Sequence, residues 1–132
     1  MARGVELARR LLVAFNGLDA DEACAVTDPD VEFTVIAEQV TGTLPDGHDG
    51  LRQWFAATSR TWEELRAEES EWTVEERGEW VIASGHTVGV ARDTGREMEF
   101  PWTAVSRAAD GRIVEFGVYL SRDDALRAIA PE

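Results

Sequence analysis

The sequence predicts an α+β fold: a curved, mostly antiparallel sheet of four to five strands, wrapped by three to four helices around an internal pocket. Three observations carry the prediction. Apolar residues recur at helical spacing in the N-terminal part of the chain. Extended runs separated by X-Gly pairs fill the C-terminal half, which is a hairpin pattern. The apolar fraction is 44%, with five Trp and five Phe, enough for a packed core holding large rings. A length of 132 residues suits a single domain over 1–132.

The elements follow in order. Ala8, Leu11, Leu12 and Phe15 form one stripe of a helix over 4–17, which Asn16-Gly17 ends. Asp21 to Val26 reads as a short second helix, and Asp28-Pro29-Asp30 as a turn. Val31, Phe33, Val35 and Ala37 alternate along a strand. Asp49 can cap a third helix from Gly50 to Trp62, with Leu51, Trp54, Phe55 and Thr58 as its stripe. Four strands follow, Leu65–Glu76, Trp80–Arg92, Glu97–Arg107 and Ile113–Leu120, joined at Arg77-Gly78, Thr94-Gly95 and Asp110-Gly111. Ser121 or Asp123 caps a last helix that ends at Ile129.

Charge and motifs exclude several function classes. The formal net charge is -13, from 26 acids and 13 bases, all of them Arg. Such a field repels phosphates, so neither nucleic acid nor an anionic membrane is an expected partner. No apolar run reaches the roughly 20 residues of a membrane span. The N-terminal stretch has no signal-peptide pattern, so a cytoplasmic location is expected. Cys24 is the single cysteine and reads as a buried structural thiol. His48 and His86 are far apart in sequence, and no spacing suggests a metal site. No phosphate loop, nucleophile elbow or dinucleotide fingerprint is present, and no cofactor is expected.

Two-residue turns fix register, so the strands can be threaded. The threading sets His86 between Glu69 and Thr103, Thr103 opposite Val118, and Val105 opposite Phe116. One face then carries Ile82, Ser84, His86, Val88, Thr103, Val105, Phe116 and Val118, and is taken as the pocket face. Trp102 and Tyr119 pair on the other, outer face. There the small row Gly85, Ala104 and Gly117 would admit a second subunit, giving a homodimer. A bulge would shift these pairings.

The motifs Leu12-Val13-Ala14-Phe15-Asn16, Asp28-Pro29-Asp30-Val31-Glu32-Phe33 and Gly47 to Phe55 stand in a familiar order. So do Asp110-Gly111-Arg112-Ile113-Val114 through Tyr119, then Arg122-Asp123-Asp124-Ala125-Leu126. In that order the chain resembles the SnoaL-like branch of the nuclear transport factor 2-like superfamily over nearly its whole length. The resemblance implies a cone-shaped α+β fold, often dimeric, with a deep apolar pocket. It also implies polyketide cyclase, isomerase, dehydratase or hydrolase chemistry. Several family acids are missing. The isomerase base falls at Val35 or Thr34, the second Asp near Thr103, and the Tyr near Leu11 or Leu12. The Asp-Arg-Asp set of the epoxide hydrolases has no counterpart either. Isomerase activity is therefore not carried over.

His86 is the candidate proton-transfer residue, because its free pKa of about 6.5 suits acid/base work at neutral pH. Glu69 would orient it. Val35, Trp54, Ser84, Thr103, Phe116 and Val118 would shape the pocket, and His48 could form a lid or sit in a solvated loop. The leading expectation is a cofactor-independent enzyme acting on an apolar, oxygenated small molecule. The alternatives are a non-catalytic binder of such a molecule, or a dimeric interaction module. An enzyme of the expected kind needs a titratable group in the pocket wall; a binder does not.

Overall fold

A computed structural model describes residues 2–34 and 46–129. Helix α1, Ala2–Gly17, buries Leu7, Leu11, Leu12 and Phe15 along one stripe. Leu18 takes a positive φ of 54°, and Asp19 then caps α2, Ala20–Val26, by accepting from the Glu22 amide at 3.1 Å. The buried Thr27 hydroxyl donates back to the Ala23 carbonyl at 2.9 Å and ends that helix.

Strand β1 spans Thr27–Thr34, so the expected Asp28-Pro29-Asp30 turn is part of an irregular strand start. Helix α3 spans Gly47–Thr61 and begins three residues before its expected start. Gly47 explains this: its φ is +86°, and a Cβ there would lie 2.6 Å from the Pro29 carbonyl oxygen. The glycine therefore seats the start of α3 directly on β1.

The expected strand Leu65–Glu76 is split. Its acidic run forms a 3₁₀ turn, Glu69–Glu71, between β2, Trp62–Arg66, and β3, Thr73–Arg77. Both short strands pair with β4, Trp80–Ala91. Strands β5, Glu97–Ala109, and β6, Arg112–Tyr119, complete a six-stranded sheet. Its path is β1-β6-β5-β4-β2, antiparallel except for the parallel pair β1–β6.

Two of the three turns lie a little away from their expected places. Arg77 pairs with Trp80 around Gly78 and Glu79, and Val90 pairs with Glu97 across a longer loop. Each moves the register by an even step, so faces are kept. At the third, Asp110 and Gly111 have φ of 54° and 79°, as a tight hairpin turn requires. A bulge between Arg107 and Ala108 follows it, and moves β6 by one residue.

Helices α1 to α3 cover the inner face of the sheet, where Phe15, Trp54, Phe55, Trp72, Trp102 and Phe116 form the core. Helix α4, Arg122–Ile129, starts with the Ser121 hydroxyl accepting from the Asp124 amide and lies on the outer face. There Ala125 packs with Ile82 and Val105. The result is the expected α+β cone of helices about a curved sheet. Among the described residues no helix is long and apolar enough to cross a membrane.

Candidate functional site

The inner face of β4 reads Gly85, Thr87, Gly89, and its partners on β5 are Trp102, Phe100 and Met98. A strand stripped of bulk thus lies beside one carrying large side chains. Between this surface and the helices is a cavity of about 440 Å³, within the roughly 300–1,000 Å³ typical of small-molecule sites. Helix α1 supplies Leu12, Phe15 and Asn16; α3 supplies Trp54, Thr58 and Thr61. Strand β2 adds Trp62 and Leu65, and Val118 and Leu120 complete the described wall. Phe15 meets Trp54 edge-on at 5.0 Å, and Trp62 leans on Phe100 at 5.9 Å. Met98 and Leu120, exposed by 56% and 46%, mark the mouth.

One polar chain crosses the wall. The Trp102 indole Nε1–H donates to Thr87 Oγ1 at 2.8 Å, and the Thr87 hydroxyl donates to Asn16 Oδ1 at 2.9 Å. Asn16 Nδ2 donates to the Leu12 carbonyl at 2.9 Å. Every direction in this chain is forced. A carbonyl only accepts and an indole N–H only donates, so the amide orientation and the hydroxyl rotor follow. The Asn16 amide keeps one N–H beyond that bond. Among the described residues that line the cavity there is no Asp, Glu, His or Arg.

The bulge at Arg107 decides which residues reach this cavity. Thr103 pairs with Tyr119 and Val105 with Gly117, while Ala104 pairs with Val118 and Ser106 with Phe116. Phe116 and Val118 therefore face inward with Trp102 and Thr87. Ser84, His86, Thr103 and Tyr119 face outward. The threaded faces are thus corrected: the strand set taken as the pocket face is the outer one for β4 and β5. Trp102 lines the cavity and does not pair with Tyr119 on the outer face. The small row is also dissolved. Gly85 and Ala104 face inward, and Gly117 lies under the Tyr119 ring on the outer side.

His86 is exposed and lies opposite Pro101, not between Glu69 and Thr103. Glu69 is exposed in the 3₁₀ turn, outside both β2 and β3. The two form no pair facing the cavity. Ser84 and Thr103 hydrogen-bond to each other at 2.9 Å on the outer face. Trp54 and Val118 line the cavity, and Phe116 lies deeper, packed on Phe15 and Phe33. Val35 lies outside the described residues. His48 is neither lid nor solvated loop: its Nε2 donates to the Thr27 carbonyl at 3.1 Å from the first turn of α3. Burial pushes the Cys24 thiol up from its ordinary pKa, as befits a core thiol.

Sequence reasoning missed Asn16, Thr87 and Trp62. Asn16 was legible as one turn beyond Leu12 on the α1 stripe, but Asn-Gly also reads as a helix stop. Thr87 needed the correct face. Nothing in the sequence around Trp62 marks a helix passing into a strand without a loop.

A family profile described as the SnoaL-like domain matches residues 8–116. No curated protein matches the sequence. Among solved structures, an NTF2-like protein of unknown function from Burkholderia pseudomallei is 23% identical. It superposes with a TM-score of 0.77 over 99% of this chain and 100% of that one. A candidate polyketide cyclase from Xanthomonas campestris is 19% identical, with a TM-score of 0.76 and 97% of each chain covered. A hypothetical protein with a ketosteroid isomerase-like fold from Catenulispora acidiphila, solved with trimethylamine, is 16% identical. Its TM-score is 0.72, over 92% of this chain and 90% of that one. At these identities the structures show a shared fold. The profile match over most of its length makes the chain a member of the SnoaL-like domain family, and the structures show that its fold is NTF2-like.

Proposed function

We propose that this protein binds a neutral, ring-bearing small molecule in the inner-face cavity, and that it holds the molecule by shape and one amide. The observation that carries this is the wall itself: aromatic rings on several sides, one oriented polar chain, and no ionisable side chain among its described residues. An ion entering such a wall would lose its hydration without a counter-charge, a large cost. The net charge of -13 disfavours anions further. The spare Asn16 N–H suits an acceptor oxygen on the ligand, such as a ketone. The likeness to a candidate polyketide cyclase supports an apolar, oxygenated ligand. Proton transfer by His86 with Glu69 has no support from where these residues lie, so binding is the favoured role.

The neutral naphthyl ketone prodan tests this reading. Its emission should shift to the blue and saturate with one site per chain. Val118→Trp, which fills the cavity, should abolish the signal, while His86→Ala should leave it unchanged. Absence of saturable binding, or equal binding by Val118→Trp, would contradict the reading. The homodimer through the outer sheet face belongs to the same proposal. Its support is that α4 covers only part of that face, leaving Pro101 and His86 exposed. A monomer in sedimentation equilibrium would overturn that part alone.

A further inference from the structure

We propose that Gly89 and Trp62 form the size filter of the cavity, an inference that rests on the small-molecule role proposed above. Gly89 lies on the inner face of β4, beside Thr87 and opposite Met98 at the mouth. A Cβ at Gly89 would stand 2.6 Å from both Cε3 and Cζ3 of Trp62. The benzo ring of Trp62 thus occupies the place where a side chain would be. That ring also lines the cavity and leans on Phe100 at 5.9 Å. Its depth in the glycine notch therefore sets the width left for a ligand.

The backbone of Trp62 has little freedom to retreat. Arg92, just after β4, donates from Nε to the Ser59 carbonyl at 2.9 Å and from Nη2 to the Trp62 carbonyl at 3.3 Å. Its backbone N–H donates to the Thr61 carbonyl at 3.0 Å. One residue clamps the end of α3 and the start of β2. A methyl group at Gly89 must then be relieved by rotation of the Trp62 side chain, and the cavity is the space beside it.

Gly85, on the same face, forms a similar notch with a different consequence. A Cβ there would stand 2.5 Å from Trp72 Cδ1 and 2.9 Å from Trp102 Cζ2, two rings buried in the core. Trp72 is not among the residues lining the cavity, and its buried Nε1 has no acceptor among the described residues. Substitution at Gly85 strains the core; substitution at Gly89, beside the half-buried Trp62, changes the mouth. The Gly89 notch is therefore the one that selects ligands by size.

The test compares prodan with the single-ring ketone acetophenone, by titration of the wild type, Gly89→Ala, Trp62→Ala and the double variant. Gly89→Ala should weaken prodan about tenfold or more, the usual effect of one misplaced methyl in an apolar site, and leave acetophenone unchanged. In the Trp62→Ala background, Gly89→Ala should change neither probe. That background keeps the comparison readable if the single variant folds poorly, because the clash is absent there. Equal weakening of both probes by Gly89→Ala, or the same loss of prodan without Trp62, would overturn the filter. A wild type that binds prodan and is indifferent to Gly89→Ala overturns the filter alone. A wild type that binds neither probe overturns the pocket reading and the filter with it.

Discussion

Thr87, a residue only 3% exposed, joins β4 to α1 across 71 positions of sequence through its hydroxyl. It accepts from Trp102 and donates to Asn16, so its loss would strand a buried donor and a buried acceptor at once. Thr87→Val keeps the shape and removes both bonds. It should cost about 1–3 kcal/mol in urea unfolding, the range for leaving buried polar groups unpaired. Thr87→Ser keeps the hydroxyl and should cost less. A Thr87→Val protein within about 0.5 kcal/mol of the wild type, the usual scatter of surface changes, would mean that the chain does not organise the wall. At this scale the sequence showed only part of the site. Trp54 was legible as a wall residue because it stood on the apolar stripe of α3, whereas Val118, threaded beside Thr103, reaches the wall only because the bulge shifts β6 by one residue. Trp102 was read onto the outer face because both faces of the threaded sheet are apolar, and nothing in the sequence announces the β5–β6 bulge that turns Phe116 and Val118 to the Trp102 side.

Elements are held by contacts that differ in their response to pH. Helix α4 packs its apolar side on Ile82 and Val105 and is tied to β3 by the ion pair of Arg122 with Glu75. That hydrogen bond holds the Glu75 carboxyl below its ordinary pKa of 4.5. A carboxyl depressed in the folded state stabilises it fully above the ordinary value, and the contribution is lost as pH falls through the lowered one. The protection factors of the α4 amides, corrected for the intrinsic pH dependence of exchange, should therefore fall on acidification below the ordinary carboxylate range. In Glu75→Gln that pH response should shrink. A response of the same size in the variant would place the acid sensitivity elsewhere. The element order itself was largely legible. Apolar stripes located α1 and α3, and Gly78, Gly95 and Gly111 marked the hairpins, because positive φ leaves a signature in composition. The split of β2 from β3 was not legible. A run of acids in Glu68 to Glu71 is as compatible with an exposed strand edge as with a turn, and the pairing partner β4 is common to both pieces.

The whole molecule is a SnoaL-like cone whose sheet has one face committed to helices and cavity and the other partly covered by α4. Its net charge is -13, yet the described cavity wall carries none of that charge. The separation is what a site for an uncharged guest requires, because the charges keep the surface wet and the wall stays unpolarised. The central claim is that the inner face, between Trp102 and Trp54, is where this protein meets a small molecule. A crystal structure of the protein soaked with prodan tests it most directly. The expected result is the naphthyl ring between those tryptophans, with its ketone oxygen accepting from Asn16 Nδ2. Prodan seated instead on the outer face beside His86, with the inner cavity left empty, would contradict the account.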